Sequence, residues 1–143
     1  MNRLIGALMF VLVVTQSGIA QSATSTIPTF EIKKPTIVAF FPPFKDADLD
    51  ADPDLNEVLS DFQFYAGAAK GPLQRSGVVF QDATARSFRI LIGSKARLIQ
   101  TGKSGVGYYF IAPGQKAHIQ YGVMTDADIL ETAGKYFGIP ISK

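Results

Sequence analysis

The run Ile37-Val38-Ala39-Phe40-Phe41 is apolar without alternation and halts at Pro42-Pro43. A half-exposed strand alternates apolar and polar residues, whereas a strand covered on both faces reads as a continuous apolar run. Proline cannot donate to a ladder, so this strand must end where the two prolines begin. Lys45 to Asp54 follows with the composition of an acidic loop. Leu55, Val58, Leu59, Phe62, Ala66 and Ala69 then recur at helical spacing, which predicts an amphipathic helix starting at Pro53 or Asp54. Gly71-Pro72 is expected to end or kink it. Gly77-Val78-Val79-Phe80 reads as a second buried strand, so the first half of the chain predicts a β-α-β unit.

The second half is signalled by turns. Ser87 to Ile92 and Ala96 to Gln100 flank Gly93-Ser94-Lys95, which predicts a hairpin, with helix over part of this middle region as the alternative. Tyr108 to Ala112 and Ala117 to Tyr121 flank Pro113-Gly114, a pair suited to the centre of a type II turn. Thr125 with Asp128 three residues on predicts a capped helix whose apolar stripe is Ile129, Leu130, Ala133 and Phe137, stopped by Gly138 and Pro140. Phe30-Glu31-Ile32 alternates as a short edge strand would.

Residues 1–20 have the pattern of a secretory signal: Asn2-Arg3, an apolar run from Leu4 to Val14, and small residues at Gly18 and Ala20. That run is about half of the ~20 residues a membrane span needs, so a cleaved leader and a periplasmic or secreted location are expected, without stable membrane insertion after cleavage. Residues 21–29 read as a flexible lead-in and 30–143 as one domain. Lys and Arg number 14 against 12 Asp and Glu; such a balance supplies no electrostatic footprint for nucleic acid. The chain contains no Cys, which removes disulfides, thiolate nucleophiles and thiolate metal sites.

Two segments carry a family resemblance. Pro35-Thr36-Ile37-Val38-Ala39-Phe40-Phe41-Pro42-Pro43 resembles the strand that leads into the redox motif of exported thioredoxin-like domains of the TlpA and peroxiredoxin-related kind. Gly105-Val106-Gly107-Tyr108-Tyr109-Phe110-Ile111-Ala112-Pro113-Gly114-Gln115 resembles their later hairpin, and Gly122 to Phe137 their closing segment. The resemblance implies a three-layer sandwich: a central mixed sheet with helices on both faces. It covers about two-thirds of the chain after the leader, with the middle poorly matched. Where the family carries Cys-x-x-Cys this chain has Phe41-Pro42-Pro43-Phe44 or the residues just after, and where the family has its cis-proline it has Gly107. Thiol–disulfide exchange is therefore excluded, no catalytic residue is carried over, and the expectation is a non-redox binding domain rather than an enzyme. Phe41, Phe44, Tyr108 and Tyr109 would sit near the family's active-site end and could hold a peptide, a protein segment or an apolar ligand. The competing reading places these aromatics in the core.

The acidic loop offers a second reading. With Asp46 as position 1, Asp48, Asp50, Asp52, Asp54 and Glu57 fall at 3, 5, 7, 9 and 12, the spacing of an EF-hand calcium loop. Ala51 stands where that loop needs glycine and Pro53 follows it, so the alternative is a solvated loop feeding a helix N-terminus. No other cofactor is suggested. His118 is the only histidine; on an alternating strand, with no Gly-x-Ser-x-Gly in the chain, it reads as a surface residue. Gly102-Lys103-Ser104 lacks the upstream glycine and the strand–loop–helix context of a phosphate loop. Arg86, Arg89, Lys95, Arg97 and Lys103 give the middle region a basic character, which strand alternation would divide between two faces.

Overall fold

The computed structural model describes residues 26–101 and 105–142. The leader and most of the lead-in expected at 21–29 lie outside the described residues, as do Lys103 and the rest of Gly102-Lys103-Ser104. The element order is β1 (Thr29–Glu31), β2 (Thr36–Phe41), α1 (Asp46–Ala51), α2 (Pro53–Arg75), β3 (Val79–Thr84), β4 (Ser87–Ile92), β5 (Lys95–Gln100), β6 (Gly107–Ile111), β7 (His118–Tyr121) and α3 (Asp126–Phe137). The chain is an α/β protein with two mixed sheets and three helices, and neither sheet closes on itself.

The four-stranded sheet has the order β3-β2-β6-β7. β2 runs parallel to β3 across α2 and antiparallel to β6, and β6 is antiparallel to β7. β2 is thus interior, as its unbroken apolar run requires. Its side chains divide by strand alternation: Ile37 and Ala39 join Tyr108, Phe110 and the helices in one core, while Val38 and Phe40 join Tyr109 and Ile111 in another. From α2 come Phe62, Ala66, Ala69 and Leu73, and from α3 Ile129, Ala133 and Phe137.

The second face corrects the sequence expectation of helices on both sides. Both long helices lie on the first face, and the other is covered by a three-stranded sheet of order β1-β4-β5. The physical reason lies in the middle region. β4 is a six-residue run rich in β-branched and aromatic residues, and β5, also six residues, is joined to it at Gly93, whose φ of 59° suits the first central position of a type II′ turn. Their alternation puts Phe88, Ile90 and Ile99 on one face, and these pack on Val38, Phe40 and Tyr109. β3 enters this layer directly through Ala85-Arg86, and Thr101 donates from both its amide (3.1 Å) and its hydroxyl (2.8 Å) to the Arg86 carbonyl, pinning the open end of the hairpin.

Local signals placed most element ends. Asp52 caps α2 by accepting the Leu55 amide at 3.1 Å. Thr125 Oγ1 accepts the Asp128 amide at 3.2 Å and donates to Asp128 Oδ2 at 2.7 Å. The Gln115 amide donates to the Ala112 carbonyl across Pro113-Gly114, with Gly114 at φ 77°. One stop came late: α2 continues through Pro72 to Arg75. In the last turn the proline forfeits a single backbone bond, and the Ser76 hydroxyl closes the end on the Pro72 carbonyl at 2.9 Å.

Candidate functional site

α2 is longer than the sheet it covers. Its 23 residues span ~35 Å at 1.5 Å per residue, whereas the strands beneath it, of at most six residues, span ~20 Å. Because β2 leads into the α1–α2 segment, the surplus projects from the end of the sheet marked by Pro42-Pro43. Burial on α2 begins only at Phe62. Leu55 and Leu59 continue the same stripe toward the N-terminus half-covered, and Val58 is 41% exposed. An apolar stripe thus runs off the core, half-covered at Leu55 and Leu59 and open at Val58.

Beside this stripe lies a cleft of about 370 Å³ between α2, the end of β2 and the body of β3. Phe41, Phe62 and Phe80 form its apolar lining, and Gln63, Lys70 and Asp82 its polar rim. Phe41 meets Phe62 edge-on at 5.8 Å between ring centroids, and Lys70 Nζ stands 3.8 Å from Asp82 Oδ2. Leu59 is one helical turn before Gln63, so stripe and cleft adjoin.

The surroundings are acidic. Asp46, Asp48, Asp50, Asp52, Asp54, Glu57 and Asp61 are all exposed, and among the described residues none of them enters an ion pair. No Lys or Arg occurs between Lys45 and Lys70 to offset them. Asp54 and Asp61 lie four residues before and three after Val58, directly beside it on the helix surface.

The expected calcium loop is corrected here, because it is not a loop. Asp46, Asp48 and Asp50 belong to α1, where residues two apart point about 200° apart, so alternate carboxylates diverge instead of wrapping an ion. Asp48 accepts the Lys45 amide at 3.0 Å and Asp52 caps α2. No group of three or more acidic or His side chains converges on a common point among the described residues.

The four aromatics expected at one surface are distributed over four places. Phe41 lines the cleft. Phe44 is half-buried in the link to α1. Tyr108 and Tyr109 are buried on opposite faces of β6: Tyr108 packs on Phe62 at 5.0 Å, and Tyr109 meets Phe88 at 5.7 Å in the inter-sheet core. Residues the sequence did not flag for this end are Leu55, Val58 and Leu59, where the helix-to-strand length ratio was the available signal. His118 is exposed beside the rings of Phe110 and Tyr136. Gly107 is required by Phe40, whose ring would stand only 2.6 Å from an added Cβ and packs edge-on against Tyr121.

Both tyrosine hydroxyls are buried without a hydrogen-bond partner. Burial pushes the Tyr108 phenol well above the usual tyrosine range, with the Met124 backbone opposing the shift. Burial also raises Tyr109, with Arg97 opposing and Tyr136 adding to the shift. The unfolded chain therefore releases these protons first as pH rises. Stability should be full below pH ~10 and fall above it by about 1.4 kcal/mol per pH unit for each group until its folded-state value is reached. Urea midpoints measured from pH 8 to 11 check this, and Tyr108→Phe should flatten the decline.

Comparison with known proteins gives no match: no family model fits the chain, and no curated protein or solved structure aligns with it significantly. What defines the chain is its architecture, two mixed sheets packed on each other with two long helices on one outer face. Among the described residues no helix is long and apolar enough to cross a membrane.

Proposed function

We propose that the protein is an exported, non-redox interaction domain of thioredoxin-like type, and that it binds a basic amphipathic segment of a partner protein at the projecting end of α2. The thioredoxin-like reading is supported by the connectivity of the four-stranded sheet. A parallel β-α-β unit, an antiparallel pair and a closing helix about one mixed sheet is what the resemblance implies, and here those strands share the sheet β3-β2-β6-β7. The second sheet then stands where that family carries a helix. The absence of Cys leaves recognition, not exchange, as the use of such a scaffold.

The observation that carries the site is the stripe Leu55-Val58-Leu59, open at Val58 and half-covered to either side, beside unpaired carboxylates. An apolar helix face seats the apolar side of another amphipathic segment, and carboxylates around it select Lys and Arg at the rim. The adjoining cleft at Phe41 gives one large side chain of the partner a pocket. A calcium-binding role has no comparable support, since α1 takes the ligand positions out of register.

A photo-crosslinking residue at Val58, in the protein expressed in its own cells, tests this. A discrete adduct of higher mass is expected from Val58 and none from Gln100 on the exposed edge strand β5. The adduct should weaken in high salt, where rim charges are screened. Equal adducts from both positions, or none from Val58, would remove the proposal.

A further inference from the structure

A second cavity, about 270 Å³, opens between the Gly93 end of the three-stranded sheet and the β6–β7 turn. Ile90, Ile92 and Ile111 form its apolar wall, and Tyr109 contributes to the lining. Three cations stand around it: Lys95 and Arg97 from β5 and Lys116 from the turn. None of them enters an ion pair among the described residues.

The placement of Lys95 and Arg97 breaks the pattern of the strand that carries them. They alternate with the buried Ile99, so they share its inward face, and in register they lie opposite Ile92 and Ile90. Continuing the core would call for apolar side chains at both positions. Charge at inward positions of an edge strand also blocks edge-to-edge pairing. Edge protection, however, gives no reason for a third cation, from the β6–β7 turn, at the same apolar cavity. The Tyr136 hydroxyl donates to the Lys116 carbonyl, tying that turn to α3 and holding the third cation's backbone in place.

From this geometry we infer that the cavity binds a small amphiphilic carboxylate, its apolar body against the isoleucines and its head group among Arg97, Lys95 and Lys116. A guanidinium pairs a carboxylate in a two-point fork. The volume lies below the range of drug-sized pockets, which sets the ligand as small. The site is on the opposite face of the sheet from the α2 cleft, so it stands or falls independently of the partner-binding surface.

Calorimetric titration of the purified protein with octanoate is the test. Saturable binding is expected, with Kd about 1 mM or tighter. Octanol, which lacks the charge, and acetate, which lacks the apolar body, should each bind at least about tenfold more weakly. Arg97→Gln should weaken octanoate by about tenfold. Lys116→Gln, on the β6–β7 turn and outside the edge strand, should weaken octanoate severalfold without promoting self-association, a split that edge protection would not produce. Absence of saturation at about 10 mM octanoate, octanol binding as well as octanoate, or unchanged affinity in Lys116→Gln would each overturn the inference. Self-association of Arg97→Gln with no octanoate binding in the parent protein would assign the cations to edge protection instead.

Discussion

Phe88→Ala is expected to destabilise the protein by about 3–5 kcal/mol. Phe88 is fully buried and is the residue through which the two sheets meet. Its ring lies 5.9 Å from Phe30, 6.0 Å from Phe40 and 5.7 Å from Tyr109. Truncation leaves a cavity that neither sheet can fill, because each is held by its own ladder. A loss of that size is a large share of the about 5–15 kcal/mol typical of a domain. It should also be uneven. Hydrogen exchange should quicken first in β1, β4 and β5, while β2 and β6 remain protected under the helices. Phe88→Leu, which retains most of the volume, should cost less than half as much. Equal loss of protection in both sheets would mean that they do not form separable layers.

Gly107→Ala should cost about 3 kcal/mol, at the upper end for overpacking, and lower Tm by on the order of 10 °C. An added Cβ would lie 2.6 Å from Phe40 Cζ and 2.7 Å from the Gln120 carbonyl oxygen. The first neighbour is a ring wedged against Phe88 and Tyr121, 1% exposed and without room to turn. The second is backbone of the paired strand β7, which can yield only by loosening the β6–β7 ladder. Gly105, two residues earlier, has open space around it but φ of 80°, so alanine there is strained by the backbone alone. Urea denaturation of the two variants separates steric from conformational strain, and Gly107→Ala should be the more damaged.

The parts of this fold that were legible in sequence are those written locally. The unalternating Ile37–Phe41 run, Pro113-Gly114 and the Thr125–Asp128 cap each fix a conformation through contacts within a few residues. Placement of the β4–β5 hairpin was not legible, because its partners are distant. β1 pairs in parallel with β4 some sixty residues away, through Phe30 opposite Ile90. Nothing in the hairpin's own pattern distinguishes continuing one sheet from covering another. The acidic segment misled for a related reason: aspartates at every second position satisfy a ligand spacing and a short helix equally well in composition, and only the backbone decides between them. The separation of Tyr108 from Tyr109, by contrast, follows from strand alternation and was available from the sequence. Val58 was legible as part of a stripe but not as uncovered, since the short strands beneath the helix set how much of it is used.

The central claim is that the N-terminal stripe of α2 is apolar for a partner and not for the core. Val58→Gln, with the photo-crosslinker placed at Leu55, one helical turn before it in the same stripe, separates the two roles. A stability change within about 0.5 kcal/mol is expected, as for an exposed helix position, together with loss of the adduct that a crosslinker at Leu55 forms when Val58 is intact. A persistent adduct, or a variant that unfolds as a core variant does, would overturn the proposed surface.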